Sequence, residues 1–348
     1  MITIEPPSTN SVSAQNLGAP HLDSEIWAPS EGRPFLFGGK RTLLACLILL
    51  TATLHAQSPN WQLTWSDEFN APNGSPPDPA KWVIVTAGNG FGNQELETYT
   101  ARPANIQQQD GNLVITAQKE DRTGPDGIPR HYTSARINTH NHFAQKYGRI
   151  EARIKLPIGK GIWPAFWLLG DNHETVEWPA CGEIDILETI GAPDTMYSTL
   201  HGPGYSGGKG ISAKFPLPAG ESVQDAFHLY AVEWAPNDIK FFFDDHLIAH
   251  RTPADLPPNT RWVYDHPFYI LLNLAVGGRW PGSPDDTTIF PQRMLVDYVR
   301  VYNRKPATAD TATSPGAPYI DSDVWASSEG RPSLAFVTRT QPQPKPTQ

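Results

Sequence analysis

Three acidic residues stand within six positions of one short segment, residues 181–188, whose sequence is CGEIDILE. They are Glu183, Asp185 and Glu188, and large apolar residues separate them. On a helix, Glu183 and Glu188 would lie roughly 140° apart, too far round to share a site. On a regular strand, Glu188 would point away from the face that carries the other two acids. A β-bulge at 186–187 adds one residue, which returns Glu188 to the acidic face and turns the apolar residues toward a core.

Like charges on one face repel each other, so folding gains nothing from this placement and the arrangement points to function. Repulsion and partial burial predict a raised pKa for at least one of the three carboxyls. Two carboxyls with separated pKa values suit glycosidic hydrolysis, in which one attacks the anomeric carbon and the other protonates the leaving oxygen. A solvated acidic face or a Ca²⁺ site is the alternative that this segment alone leaves open.

The surrounding chain reads as β-strands. Residues 147–156 alternate apolar and charged side chains, a period of two that marks a strand with one buried face. Similar runs stand at 112–119, 134–138, 163–169, 182–188, 196–201, 227–234, 239–243, 268–276 and 294–302. Many short strands with Gly- and Pro-rich connections, and no long helical pattern, predict an all-β fold of the two-sheet jelly-roll type.

The composition limits the kinds of molecule that the protein is expected to bind. Hydrophobic residues make up 39% of the 348 and charged residues 18%, which allows a large core. The 11 Trp residues suggest flat stacking surfaces in addition to core packing, and sugar rings are one natural ligand for such surfaces. A net charge of −9 argues against nucleic acid or an anionic membrane as a partner.

Residues 39–56 have the pattern of a secretory signal peptide, because a basic pair precedes a short apolar run and then small residues. The run is too short to span a bilayer comfortably. We therefore expect a secreted protein, extracellular or periplasmic, without a stable membrane anchor. Removal of the signal peptide, which contains Cys46, would leave Cys181 as a single thiol.

The catalytic domain is predicted to occupy residues 57–304, with a disordered segment on either side. Residues 1–38 are a polar, Pro-rich leader or a mis-assigned start, with the true start near residue 36, and residues 305–348 form a Pro-rich tail. Much of the sequence of residues 18–34 recurs at residues 316–332. Two copies so far apart in the chain do not indicate a solenoid of stacked repeats.

Several segments together resemble a known family. Residues 183–188 are similar to the signature of glycoside hydrolase family 16, in the bulged form typical of its laminarinase-like (endo-1,3-β-glucanase) branch. The likeness continues in the expected order through 65–69, 93–99, 134–137, 147–153, 161–167 and 296–302. It implies a concanavalin-like two-sheet jelly-roll sandwich with a concave substrate groove, covering about residues 60–303.

The resemblance also implies roles for the three acids. Glu183 would be the nucleophile and Glu188 the acid/base, while Asp185 would hydrogen-bond the nucleophile. The reaction would be a double displacement with retention that needs no cofactor. The expected substrate is a β-1,3-linked, laminarin-like glucan cut within its chain, by a protein that we expect to be a monomer.

Further residues match groove positions of the family. The positions expected to bind sugar are Asn93, Glu95, Trp163, Trp167, Trp178 and His201. Each has a structural alternative: core packing for the tryptophans, loop polarity for Asn93 and Glu95, and capping for His201. Trp280 lies in a loop that could edge the same site.

A structural Ca²⁺ site is also implied, on the convex side of the sandwich. Its oxygen ligands would come from Asp297, Glu68 and the Gly111 backbone, which suits the preference of calcium for hard oxygen donors. The alternative is an Asp297 that is simply paired with a basic residue.

Other functions remain open at this point. A mixed-linkage 1,3-1,4-glucanase or another family 16 polysaccharide hydrolase would use the same acids, although dedicated mixed-linkage enzymes typically have the shorter, unbulged motif. A non-catalytic glucan-binding lectin on the same fold usually lacks the glutamates that stand here at Glu183 and Glu188. A Ca²⁺-binding structural protein would not need Glu183 as an ionisable group.

Overall fold

The computed structural model describes residues 60–244 and 246–306, and these residues fold as two β-sheets with three short 3₁₀ turns in their connections. The predicted leader, the predicted signal peptide, the repeated segments and the tail beyond Pro306 lie outside the described residues. In the part of the chain that is described, no helix has the length and apolar character needed to cross a membrane.

The larger sheet contains ten strands in the described ranges. Its main path runs β15 (His246–Arg251), β14 (Asp238–Phe243), β13 (His228–Ala235), β8 (Gly148–Lys155), β17 (Gln292–Arg304), β5 (Asn112–Thr123), β6 (Pro129–Ser134) and β3 (Glu97–Tyr99). Off this path, β1 (Trp61–Asp67) pairs with β17 and β4 (Ile106–Gln109) pairs with β5. The pairing of β3 with β6 is parallel.

The smaller sheet carries the acidic segment. Its order is β12 (Ile211–Pro216), β11 (Thr195–His201), β10 (Glu183–Glu188), β9 (Ile162–Gly170), β16 (Phe268–Val276), β7 (Arg136–Asn138) and β2 (Val83–Val85). Its neighbouring strands pair antiparallel. The acidic strand β10 is therefore held by hydrogen bonds on both edges.

The hydrophobic core lies between the two sheets because side chains alternate along each strand. On β9, Phe166 and Leu168 are fully buried in the core, whereas Trp163 and Trp167 lie on the opposite face and are partly exposed. The larger sheet contributes buried apolar residues that include Ile150, Ala152, Ile154, Val232, Val296 and Val299. The outer face of the smaller sheet is thus left free for other chemistry.

The predicted all-β jelly-roll class is confirmed, and the structure refines several strand boundaries. The run predicted at 134–138 is interrupted, because β6 ends at Ser134 and β7 begins at Arg136 in the other sheet. Strands β14 and β15 form an antiparallel pair. Strands β2 and β3 were not predicted, since three residues are too few to show a period of two.

Gly182 makes the turn into β10. Its φ is +75°, a left-handed conformation that glycine adopts without steric cost. A Cβ built there would lie 2.9 Å from Cζ of the buried Phe268 and 3.1 Å from Val263 Cγ2. A side chain at 182 would therefore strain the backbone and collide with the core below the acidic strand.

We predict that Gly182→Ala lowers the free energy of unfolding by about 2–4 kcal/mol, from left-handed strain together with overpacking. Gly127→Ala is the matched control, because Gly127 has φ +76° but nothing lies within 4 Å of its built Cβ. The control should lose only about 1 kcal/mol. Equal losses for the two variants in urea unfolding would show that Phe268 does not restrict this position.

Candidate active site

The predicted β-bulge is present in β10. Against β9, Asp185 pairs with Trp167 and Leu187 pairs with Phe166, so Ile186 has no partner of its own. The register with β11 shifts over the same residues. The core-facing residues Ile184, Ile186 and Leu187 are fully buried, and the three acids are left on the outer face of the smaller sheet.

Each of the two glutamates accepts a hydrogen bond from the indole N–H of a different tryptophan. Trp178 Nε1 donates to Glu183 Oε2 at 2.6 Å, and Trp163 Nε1 donates to Glu188 Oε1 at 2.9 Å. Both glutamates are half-buried, whereas Asp185 between them is 2% exposed. The glutamate carboxyls are therefore oriented by aromatic side chains that reach them from different elements, the loop before β10 and strand β9.

His201 supplies a positive charge to this group. It pairs in register with Glu183 across β10 and β11, and its Nε2 lies 3.1 Å from Asp185 Oδ2, at angles that are poor for a hydrogen bond. Burial alone would lower the pKa of His201, but Asp185 and the two glutamates outweigh it and raise that pKa to about 9. The imidazole is therefore cationic at neutral pH.

The carboxyls do not all ionise freely. Burial, followed by the charge of Asp185, raises the pKa of Glu183 to about 8. The same two causes raise the pKa of Glu188 well above its ordinary value. The raised pKa predicted for at least one carboxyl is thus found for two, and the group retains a proton at neutral pH. A retained proton is a requirement for acid catalysis.

The positive charge is placed asymmetrically. One ligand-type atom from each of Glu183, Asp185 and His201 lies within 4.8 Å of the other two, whereas Glu188 is outside this group. Because an imidazolium favours the ionised form of the nearest carboxylate, it favours ionisation at Glu183 over Glu188.

Trp163 and Trp167 share the outer face of β9, as their spacing predicted, but their surroundings differ. Trp163 is part of an aromatic cluster at the Glu188 end, with its ring centroid 5.7 Å from that of Trp280. Trp167 donates from Nε1 to Asn273 Oδ1 at 2.8 Å, and the Arg136 guanidinium lies 4.8 Å from its ring centroid. One face of Trp167 is therefore covered by Arg136.

Asn93 and Glu95 reach the site through a chain of hydrogen bonds. Asn93 Nδ2 donates to Glu95 Oε1 at 3.2 Å, and Tyr99 Oη donates to Glu95 Oε2 at 3.1 Å. Asn273 Nδ2 in turn donates to Tyr99 Oη at 3.3 Å, and Asn273 is the residue that holds Trp167. Glu95 is only 8% exposed, so the structure gives it a role in ordering neighbours.

Exposed tryptophans stand at both ends of the acidic row. Trp178, 48% exposed, lies beside Glu183, and its ring centroid is 6.2 Å from that of His201. Trp280, 41% exposed, contacts Trp163 and Tyr197 beyond Glu188. The outer face of the smaller sheet thus carries acids at its centre and stacking surfaces at its ends.

Sequence reasoning missed Tyr197, Tyr99 and Asn273 as parts of this site. Tyr197 is four residues before His201 on β11 and pairs in register with Glu188, so the alternation of β11 would have placed it on the same face. Asn273 gave no such signal, because β16 is a continuous buried run in which both faces are apolar.

The two carboxylates predicted to bind calcium are both paired with arginines. Arg153 Nη1 donates to Asp297 Oδ2 at 2.6 Å, and Arg300 binds both oxygens of Glu68 at 3.0 and 2.8 Å. Gly111 lies in the turn between β4 and β5. In the described ranges neither carboxylate belongs to a cluster of three ligand-type side chains. While both carboxylates are paired with arginines, they do not fit a Ca²⁺ ion. Calcium binding at these residues stays a prediction.

A two-sheet jelly roll that presents paired glutamates along an aromatic-ended groove defines a carbohydrate-cleaving enzyme. Residues 93–300 match the family described as Glycosyl hydrolases family 16. A β-glucanase from Rhodothermus marinus is 40% identical over 277 residues, which cover 75% of this chain and 92% of that relative.

Solved structures agree with this match. The laminarinase catalytic domain from Thermotoga maritima MSB8 superposes with a TM-score of 0.67 at 46% identity, covering 71% of this chain and 100% of that one. An endo-β-1,3-glucanase from Pyrococcus furiosus gives a TM-score of 0.67 at 45% identity, with coverage of 70% and 95%. The chain belongs to glycoside hydrolase family 16, which confirms the resemblance carried by residues 183–188, and it is an enzyme of the β-glucanase kind.

We predict that Glu183→Gln stabilises the fold in a pH-dependent way. The pKa of Glu183 is about 8 in the folded protein against an ordinary 4.5. Between these values the unfolded chain ionises the carboxyl while the acidic row of the folded chain keeps a proton, so the wild type loses stability as pH rises through this window. The Gln variant lacks this loss, and its advantage should grow from near zero at pH 4 to about 4 kcal/mol at pH 8.

Thermal unfolding of both proteins at half-unit pH steps measures the difference. Glu221→Gln, which removes a solvent-exposed carboxyl, is the control for a simple change in net charge. A stability difference that is constant from pH 4 to pH 8 would mean that the folded protein ionises Glu183 as readily as the unfolded chain does.

Proposed function

We propose that this protein is a retaining endo-β-glucanase that hydrolyses β-1,3-glucosidic bonds in laminarin-like glucans by double displacement. One observation carries the proposal: the bulge in β10 presents Glu183 and Glu188 on one face, with the buried Asp185 between them and a different tryptophan on each glutamate. The β-1,3 preference is supported by two relatives of solved structure, the laminarinase from Thermotoga maritima and the endo-β-1,3-glucanase from Pyrococcus furiosus.

The first step of this mechanism forms a covalent intermediate. The acidic row holds a proton at neutral pH, and the reactive form is the one in which Glu188 carries a proton and Glu183 is ionised. The Glu183 carboxylate then attacks the anomeric carbon while Glu188 gives its proton to the leaving glycosidic oxygen, so the glycosidic bond breaks as the glycosyl–enzyme ester forms. The charge asymmetry supports this division of roles, because the His201 imidazolium clusters with Glu183 and Asp185, and Glu188 is outside that cluster.

The second step restores the enzyme. Glu188, now ionised, takes a proton from water, whose oxygen attacks the anomeric carbon from the face that the leaving group vacated. The ester to Glu183 breaks and the carboxylate is released. Two inversions give net retention, and no cofactor takes part in this scheme.

The tryptophans at the two ends of the groove support binding of a polymer rather than of a single sugar. Trp178 flanks the Glu183 end, and the cluster of Trp163, Trp280 and Tyr197 flanks the Glu188 end. Stacking surfaces on both sides of the reacting bond suit a chain that continues in both directions, which is the requirement for internal cleavage.

A polysaccharide panel tests the substrate and the nucleophile together. Laminarin should release reducing sugar, with products of β-1,3 linkage and the β-anomer formed first by NMR. Glu183→Gln should lower turnover by several orders of magnitude, because the covalent step is removed, while laminarin binding is kept. Glu221→Gln should keep wild-type turnover.

Different results would overturn specific parts of the proposal. Faster cleavage of a mixed-linkage 1,3-1,4-glucan than of laminarin would assign the enzyme to that substrate. Binding of laminarin without release of sugar by the wild type would favour the glucan-binding lectin. Near-normal turnover of Glu183→Gln would exclude Glu183 as the nucleophile.

We predict that Glu188→Ala harms substrates according to their leaving group. An acidic phenol leaves an aryl β-glycoside without help from a general acid, so the first step with such a substrate should be slowed little. Laminarin has a poor leaving group and should be cleaved orders of magnitude more slowly. Single-turnover rates for a series of aryl laminaribiosides measure the effect. Equal losses across the series would contradict the acid role of Glu188.

A further inference from the structure

A second cluster of potential ligands lies apart from the three acids. It consists of His140 in the loop after β7, and His173 and Glu174 in the loop between β9 and β10. One donor atom from each side chain lies within 4.8 Å of the other two. In the described residues this is one of two such groups, and the other, Glu183 with Asp185 and His201, belongs to the active site.

The two rings are held in place by packing. The ring centroids of His140 and His173 are 4.6 Å apart, and both rings contact Tyr269, at 4.8 and 5.3 Å. His173 Nδ1 is buried and has no hydrogen-bond partner among the described residues. An imidazole nitrogen that is buried without a partner is costly unless something binds it.

Polar side chains next to the two rings could complete a metal site. Asn141 Nδ2 lies 3.2 Å from His140 Nδ1, and with this amide turned over, Asn141 Oδ1 would accept the Nδ1–H of a ligating His140. Asp171 Oδ1, 4.0 Å from His140 Nε2, is within reach as a further oxygen.

Two imidazoles and one carboxylate form a donor set typical of Zn²⁺. Zinc–nitrogen bonds of about 2.1 Å in a tetrahedron place ligand atoms roughly 3.4 Å apart. The three ligand atoms lie within 4.8 Å of one another, so they would have to move somewhat closer together to bind zinc. Glu174 is solvent-exposed, so its side chain can make this movement.

We propose that His140, His173 and Glu174 form a Zn²⁺ site that links the loop after β7 to the loop between β9 and β10. The second loop continues to Trp178 and Glu183, so zinc would anchor the segment that delivers the indole N–H to Glu183. Tyr269, which both rings contact, pairs in register with Leu169, and Leu169 pairs with Glu183. The site therefore stands at the Glu183 end of the groove, two strands away from that carboxyl.

The test is a ZnCl₂ titration of the full-length protein after removal of metals with EDTA, followed by calorimetry and thermal unfolding at pH 7.5. We expect one Zn²⁺ bound per chain in the wild type. Zinc at about 100 times its Kd should raise Tm by about 5–10 °C. Absence of saturable zinc binding by the wild type would overturn the proposal.

Variants separate this site from the active site. Glu174→Gln and His140→Asn should each weaken zinc binding by at least about 100-fold and remove most of the Tm increase. Glu174→Gln changes only an exposed side chain and should fold like the wild type. His246→Asn, on an exposed histidine of β15, is the matched control and should bind zinc normally.

His201→Asn completes the set, because the active-site acids could also hold the ion. Zinc affinity that survives His201→Asn and is lost in Glu174→Gln supports the proposal. Zinc affinity that is lost in His201→Asn and kept in both Glu174→Gln and His140→Asn would place the ion at the acids and overturn it.

Discussion

One extra residue in strand β10 determines what this protein can do. The insertion of Ile186 lets Ile184, Ile186 and Leu187 enter the core while Glu183, Asp185 and Glu188 remain on the outer face. On a regular strand, the register that buries Ile184 and Ile186 would also bury Glu188 and expose Leu187. The apolar side chains therefore fix the bulge, and the bulge fixes the geometry of the acids.

The electrostatics of the site follow from that placement. Desolvation makes it costly to hold three negative charges side by side, so the acids retain a proton and draw in the His201 imidazolium. Indole N–H groups from Trp178 and Trp163 orient the outer two carboxyls from opposite ends. These interactions let the row keep a proton at neutral pH, as the proposed acid catalysis requires.

The sequence allowed the catalytic strand to be predicted because its acids and apolar residues conflict on any regular element. It allowed the outer face of β9 to be predicted because Trp163 and Trp167 are four residues apart. The partners of these residues could not be predicted, since the bonds that join Tyr99 to Asn273 and Trp163 to Glu188 connect residues far apart in the chain. An Asp297 paired with a basic residue was a predicted alternative, but which arginine reaches Asp297 or Glu68 depends on strand register and could not be predicted.

The smaller sheet ends at β12, and this strand has a consequence for self-association. An open sheet edge offers unpaired backbone groups to which a strand of another molecule can add, which is a common start of aggregation. On β12 the outward-facing positions include the exposed Lys214 and Pro216, a charge and a residue without an N–H. Arg251 Nη2 also lies 3.4 Å from the Ser212 carbonyl on the same strand. This edge is therefore a poor template for a second chain, although it is only two strands away from the acids.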